Sequence, residues 1–512
     1  LVPRGPRPPD GATLLLYART RHPDAHGRSR NSPHEILSFL IDKLATLGNG
    51  WISVGDDRFR HPKRRGTHVH APRIRRAALV AAAAGALATI GLMPAAAQAA
   101  ASPAPNVASL HLGSAATLPS AELAGRGTAA VCATYGHCVA QILTVAPGSS
   151  KPLSTAVPAG YGPADFAAAY DLPAGVGQKD TIAILDEGAF PTLETDLNTY
   201  RSTYGLPACT TANGCFKQVN EHGGAPLAAG TTTLQKEFDE EVGVETTLDV
   251  DMASSACPMC NILEITVNRD ITATNDVAAA DFGVALDTAA KLGANAASIS
   301  YQFAPDATLD LGPAARDFFH PGMAITASSG DGGYEGTPDG WPQDLPTVTS
   351  VGGTSLYSTP STTRGYTEVA WGGSGSGCAS DLPPALGQPS SVSALCGGHR
   401  TDADVSADAD PNTGAAVYDD YAPYSGEPYD WIVVGGTSES SPFVAGLYAR
   451  GGDLGQVEGP STLYADPSSD FNDVVIGENY PPNAGCGNAL CVSGPGWDGP
   501  TGLGTPNGLA GF

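Results

Sequence analysis

The sequence predicts an α/β fold, a mostly parallel sheet with helices on both faces, in a chain that contains disulfides. Three observations carry this. Continuous apolar runs of strand length recur at residues 181–186, 261–267, 296–300, 323–328 and 347–351, as strands buried on both faces require. Stretches with helical spacing lie between several of them, which suits parallel crossovers. Ten cysteines occur, a usage that fits an oxidising compartment. In such a sheet, ligands meet the carboxyl ends of the strands.

Taken in order, residues 1–72 are rich in Arg, His, Pro and Gly without a sustained period, and the first residue is Leu1 rather than Met. They read as an unstructured N-terminal extension or a mis-called start. Residues 73–100 combine a basic flank at Arg73, Arg75 and Arg76, an apolar run at 77–92 and small residues up to a cleavage site near Ala99. That make-up is a secretory signal peptide, and the run is short for a membrane anchor, which needs about 20 apolar residues. Residues 101–160, rich in Ala, Ser, Pro and Gly, read as a short leader or propeptide, and residues 161–512 as the folded domain. The expectation is a secreted, extracellular protein with no membrane contact after signal removal.

Charge divides at the same boundary. Residues 1–100 hold 15 of the 27 Lys and Arg and 6 of the 52 Asp and Glu, leaving 12 basic and 46 acidic residues beyond. A surface this acidic argues against nucleic acid as a partner. Few basic groups also mean little positive self-repulsion once carboxylates protonate, which suits work in acid. The cysteines all follow residue 100 as near neighbours: Cys132 with Cys138, Cys209 with Cys215, Cys257 with Cys260, Cys378 with Cys396, and Cys486 with Cys491. Local disulfides are the simplest reading, although spacing alone does not fix connectivity. Cys257 and Cys260 also have the spacing of a redox or zinc pair.

Candidate chemistry concentrates in three places. Residues 435–442 read Gly-Gly-Thr-Ser-Glu-Ser-Ser-Pro ahead of an apolar helical run at 443–449. The glycines allow a sharp turn, and Ser438 falls at a helix N-terminus, where unpaired N–H groups favour negative charge; a nucleophilic serine is displayed this way. Gly-Gly-Thr-Ser recurs at 352–355 without the proline or the helical run, so Ser438 needs partners. Along 236–252, helical spacing puts Glu245 and Asp249 on one face beside the row of Val244, Leu248 and Met252. Alone, such a pair is a solvated acidic face; beside an apolar row it lies at the edge of the buried one. Ser329, Gly330 and Asp331 directly follow a strand, a turn sequence at the place where a sheet presents groups to a ligand.

With Glu245 and Asp249, Asp331 and Ser438 in this order, the chain resembles the sedolisin family of serine-carboxyl peptidases, which keep the subtilisin fold and replace its histidine with a glutamate. The resemblance spans about residues 161–512, including 351–356 and 496–507. It implies a subtilisin-like fold and a peptidase in which Ser438 attacks the scissile carbonyl, Glu245 takes its proton, Asp249 orients Glu245 and Asp331 completes the oxyanion hole. That chemistry is coherent, because near a pH of about 4 a histidine is already protonated whereas a glutamate titrates. A neutral carboxyl can likewise donate to an oxyanion. Asp186, ending the first strand, corresponds to an acidic position that extends the carboxyl network in some members. Asp473 and Asp498, with the carbonyls of Val474, Gly494 and Gly496, look like the family's site for one calcium ion, a cation that takes hard oxygen donors. The implied substrates are proteins or peptides, bound as a strand beside residues 298–301. The implied enzyme is a monomer acting as an endopeptidase or a tripeptidyl peptidase.

Two features depart from the family. Only about 60 residues separate the signal from Tyr161, where many members carry a large folded prodomain. Thr246 and Thr247 stand where aromatic residues are frequent. The nearest rival is a subtilisin-type triad of Asp186, His222 and Ser438, although His222 sits in Asn-Glu-His-Gly-Gly rather than the helix-opening pattern of subtilisins. A non-catalytic secreted calcium-binding protein of the same fold is a third reading, and disulfide exchange by Cys257 and Cys260 a fourth.

Overall fold

The computed structural model describes residues 126–512 apart from 135–136, 176–179, 270, 272–273, 305–313, 335–339, 453, 466–467 and 481–485. The 1–72 extension, the 73–100 signal segment and the leader up to residue 125 lie outside the described residues.

In chain order, the hairpin of β1 (Gly127–Ala130) and β2 (Gln141–Thr144) precedes helix α1 (Pro163–Ala169). Next come β3 (Thr181–Glu187), α2 (Leu193–Thr203), β4 (Phe216–Asn220), α3 (Thr233–Ala256) and β5 (Asn261–Val267). They are followed by α4 (Asn275–Lys291), β6 (Ala296–Ile299), β7 (Ala324–Ser328), β8 (Thr349–Ser358) and β9 (Tyr366–Ala370). After β10 (Gly377–Ala379) and β11 (Arg400–Asp402), the chain forms β12 (Val405–Asp408), β13 (Ala415–Asp419), β14 (Asp430–Gly435) and α5 (Thr437–Gly451).

The central sheet runs β12, β8, β7, β6, β3, β5, β4, all parallel, and β9 pairs antiparallel with β8. Five of its strands, β3, β5, β6, β7 and β8, fall on the predicted apolar runs, whereas β4, β9 and β12 lie outside them. Beyond the prediction, β8 continues through the second Gly-Gly-Thr-Ser, where Ser355 donates to Asp410 at 2.7 Å. The tetrapeptide that could have mimicked a nucleophile loop is therefore sheet.

Alternation along β3 shows why the strands are apolar throughout. Ile182 and Ile184 enter one core with Leu248, Phe443 and Leu447, whereas Ala183 and Leu185 enter the other with Phe282 and Leu286. Both faces are covered, which leaves no side of the strand for polar residues. Helices α3 and α5 share the first face. A Cβ on Gly446 of α5 would stand 2.5 Å from the Ala256 Cβ of α3, so glycine is what admits the close crossing. The start of α3 is fixed by a capping box: Thr232 accepts from the Gln235 N–H, and the Gln235 side chain accepts from the Thr232 N–H, each at 3.3 Å.

A second, antiparallel sheet runs β1, β2, β14, β13. Its first two strands come from the segment read as leader, and Gln141 and Ile142 pair with Gly435 and Val434 at the end of β14. Part of that segment is thus folded onto the domain. Disulfides join all five neighbouring pairs, Cys132–Cys138, Cys209–Cys215, Cys257–Cys260, Cys378–Cys396 and Cys486–Cys491. Cys257 and Cys260 are fully buried at the end of α3, which corrects the disulfide-exchange reading, since exchange needs an accessible sulfur.

Candidate active site

Strand β14 delivers the chain to Gly436, whose φ of +100° lies in the left-handed region, and α5 begins at the next residue. A Cβ at Gly436 would meet Asp331 Oδ2 at 2.6 Å and Ala140 Cα at 3.0 Å. Glycine is therefore required for both the turn and the approach of Asp331. Ser438 is the second residue of α5 and is fully buried. Pro442 has no N–H to offer the Ser438 carbonyl one turn back. Ser300 faces that carbonyl instead, its hydroxyl 3.5 Å away, while donating to Asp249 Oδ1 at 2.9 Å.

Helix α3 presents Glu245 and Asp249 toward this point, both fully buried. Burial, first, raises both carboxyl pKa values well above the usual range; the charge of Asp186 adds to both rises, that of Asp331 to the rise at Glu245 and that of Glu245 to the rise at Asp249. Asp186, at the carboxyl end of β3, is pushed up to about 8 by burial and by neighbouring Glu187. Opposing the rise at Glu245 are the Ser438 hydroxyl and the Ala140 N–H, which donates to Oε2 at 3.1 Å. The Ser438 hydroxyl thus lies near enough to favour the Glu245 carboxylate, although it completes no well-formed hydrogen bond. Carboxyls this close share protons, so their ionisation belongs to the cluster.

Asp331 follows β7. Its Oδ1 accepts the Thr437 N–H at 2.8 Å and the Thr437 hydroxyl at 2.9 Å, and burial still pushes its pKa up to about 7. Ser438, Glu245, Asp249, Asp331 and Asp186 therefore converge at the carboxyl ends of β3 and β7. His222 does not join them. It sits on the turn after the edge strand β4, its side chain 71% exposed and 3.7 Å from Glu221, where a triad with buried Ser438 is not formed.

Asp473 and Asp498 meet in one pair of loops. Asp473 accepts the Gly496 N–H, at 3.1 Å for Oδ2, and Asp498 accepts the N–H groups of Gly494 at 2.9 Å and Thr501 at 3.0 Å. Among the described residues, no group of three or more His, Cys, Asp or Glu side chains is arranged around a metal position.

Sequence reasoning did not single out Ser300, Thr437, Ala140 or Gln141. Thr437 had a signal, its place beside Ser438 in the loop; the other three act across long sequence separations. An open groove of about 470 Å³ lies between Ala130 and Val131 of the hairpin segment and Glu240, Glu241 and Val244 of α3, and Ser438 is not among its lining residues. Ser438 itself remains covered.

A serine at a helix start, faced by a glutamate–aspartate pair, forms a candidate serine–carboxyl site on a subtilisin-like fold. Kumamolisin of Bacillus sp. (strain MN-32) is 31% identical to this chain over 386 residues, 69% of this chain and 63% of kumamolisin. Sedolisin of Pseudomonas sp. (strain 101) is 27% identical over 394 residues, 70% of this chain and 61% of sedolisin. The solved structure of Pseudomonas sedolisin, a serine-carboxyl proteinase complexed with two molecules of pseudo-iodotyrostatin, shares the fold. Its TM-score is 0.52 at 24% identity, over 68% of this chain and 96% of that one. No family model matches the sequence. The chain spans less than two thirds of the length of kumamolisin or of sedolisin. Its sequence and fold resemble those of the sedolisin family.

Proposed function

We propose that the chain is a secreted, acid-acting serine-carboxyl peptidase that cleaves peptide bonds in proteins or peptides through an acyl-enzyme on Ser438. The observation that carries this reading is the meeting of Ser438 with two separate carboxyl systems, Glu245 with Asp249 on one side and Asp331 on the other. In the share of molecules in which the coupled carboxyl cluster leaves Glu245 ionised, Glu245 takes the Ser438 Oγ proton as Oγ bonds to the scissile carbonyl carbon. The carbonyl oxygen becomes an oxyanion, and protonated Asp331 donates to it. Collapse of this intermediate breaks the C–N bond, and Glu245 returns the proton to the leaving amine. Water then attacks the acyl-enzyme by the same route, releasing the carboxylic acid and Ser438.

Asp249, held by the Ser300 hydroxyl, orients Glu245, and Asp186 extends the carboxyl network. Asp331 suits its role because a pKa of about 7 keeps it neutral in acid, and only a neutral carboxyl can donate. Five disulfides support secretion, and no helix among the described residues is long and apolar enough to cross a membrane. The carboxylates of Asp473 and Asp498, with the carbonyls of Val474, Gly494 and Gly496, would supply hard oxygen donors to one calcium ion. Such an ion would brace those loops and take no part in bond cleavage.

The test is hydrolysis of a mixed peptide library from about pH 3 to 8, by the chain as secreted and after limited digestion, beside Ser438→Ala and Glu245→Ala. Acid activity lost in both variants supports the reading. Activity that survives Glu245→Ala and peaks near neutrality assigns the base elsewhere, and no Ser438-dependent hydrolysis at any pH leaves a binding protein.

A further inference from the structure

Glu439 follows Ser438 in the first turn of α5 and is fully buried, yet the proposed chemistry leaves it unused. Neither of its carboxyl oxygens completes a hydrogen bond among the described residues. The charged groups that act on it are Asp408, at the end of β12, and Asp410, in the loop beyond. That loop is the floor under the turn that aims Ser438. The Ala409 carbonyl accepts the Gly436 N–H at 2.6 Å, and a Cβ on Gly435 would stand 2.6 Å from the same oxygen and 2.5 Å from Pro411 N. Residues 408–411 and 435–439 therefore pack as one unit, and where the loop sits decides where Ser438 points.

The donors of this unit are unevenly shared. Asp408 Oδ1 accepts the Leu356 and Ala409 N–H groups, each at 3.1 Å, and the Thr413 hydroxyl at 2.9 Å, whereas Oδ2 has no partner among the described residues. Asp410 is satisfied on both sides, by the Ser355 hydroxyl at 2.7 Å and the Asn412 N–H at 2.9 Å. Glu368 accepts the Tyr170 hydroxyl at 3.1 Å and holds the Arg364 guanidinium at 2.7 Å, so that cation is spent on Glu368. A buried carboxylate without donors is strongly disfavoured. A proton on Glu439 supplies the missing donor, and Asp408 Oδ2 is its open acceptor. A helix N-terminus by itself favours an ionised Glu439. Burial, first, then the charges of Asp408 and Asp410 raise its pKa well above the usual range, against the nearby Ala415 N–H. Burial likewise raises Asp408, with Asp410 and Glu368 adding to the rise.

We propose that Glu439 is a positioning residue: a proton shared between Glu439 and Asp408 seats the first turn of α5 on the 408–411 loop, and its loss shifts Ser438 away from Glu245. The proposal rests on the peptidase reading. It gives the molecule a proton requirement separate from those of Glu245 and Asp331. The unfolded chain gives up such a proton near about pH 4. The seating is therefore complete below that pH and is lost as pH rises through the raised range of the folded pair. Two adjoining carboxylates then repel inside the fold, Asp410 and Glu368 add to the repulsion, and lifting of the first turn of α5 from the loop relieves it.

The test compares the secreted full chain, before and after limited digestion, with Glu439→Gln, which keeps the bulk and a donor but has no proton to lose. Backbone hydrogen exchange of residues 436–441, corrected for intrinsic rates, and kcat with KM are measured near about pH 4 and about pH 8. Exchange should rise at least about tenfold between the two in the unsubstituted chain and stay level in Glu439→Gln. Glu439→Gln should also keep at least about threefold more of its acid kcat at the higher pH, with KM little changed. Ionisation of Asp331 is common to both proteins and cancels from that ratio. Asp408→Asn, which removes the opposing charge, should act in the same direction. Equal exchange in the two proteins, an unchanged kcat ratio, or failure of both variants to fold near about pH 4 overturns the proposal and leaves the peptidase reading standing. Exchange that follows Glu439 in a chain with no Ser438-dependent hydrolysis overturns the peptidase reading and the positioning role with it.

Discussion

Thr437 donates both its backbone N–H and its hydroxyl to Asp331 Oδ1, so the residue before Ser438 fixes the Asp331 carboxyl. Both bonds favour the ionised form. Removing one, in Thr437→Val, should push the Asp331 pKa above about 7 and move the alkaline limb of the kcat profile to higher pH. Asp331→Ala removes the donor and should lower kcat by about 10²–10³-fold with a smaller effect on KM. Steady-state kinetics across pH checks both; an unmoved limb in Thr437→Val would take Asp331 out of that ionisation.

Stability should be greatest in acid. Burial, aided by the neighbouring Asp420 carboxyl, pushes Asp196 up to about 9, and burial pushes Asp419 up to about 7. The folded chain therefore keeps protons that the unfolded chain gives up near about pH 4. This contribution is complete below that pH, is lost as pH rises, and is gone above about 7 for Asp419 and about 9 for Asp196. Thermal unfolding should show a lower Tm near about pH 8 than near about pH 4, and Asp196→Asn should narrow the gap.

Arg400 is fully buried, with Asp402 at 2.8 Å and Asp404 at 2.6 Å. Arg400→Met keeps the bulk but leaves two buried carboxylates without their cation. A loss of about 3–5 kcal/mol is expected, readable from the urea midpoint. A loss under about 1 kcal/mol would mean that the pair is as weakly coupled as a surface one.

The Gly446–Ala256 crossing sets the distance between the helix bearing Ser438 and the helix bearing Glu245. Gly446→Val forces these helices apart, at a cost of about 1–3 kcal/mol. Because the helices carry the proposed nucleophile and the proposed base, kcat should fall even where the protein remains fully folded. Circular dichroism beside kinetics separates the two effects.

Much of this arrangement was legible in the chain. The central strands announced themselves because both faces are buried, and Glu245 and Asp249 could be paired because residues four apart share a helix face. Ser438 stood out through its glycines and Pro442. The 126–144 hairpin did not: β1 and β2 are four residues each, too short to show a period, in a stretch whose composition reads as linker. Ala140 meets Glu245 across 105 residues of sequence, and such a backbone contact leaves no side-chain signature. Ser300 likewise depends on where two strands and α5 happen to meet.

Departure of β2 would turn β14 from an inner strand into a rim, with the main-chain groups of Val434 and Gly435 bare. Exposed strand rims recruit any extended polypeptide, whether a substrate or a second copy of the same protein. The short hairpin that contributes β2 therefore keeps that rim from recruiting another chain.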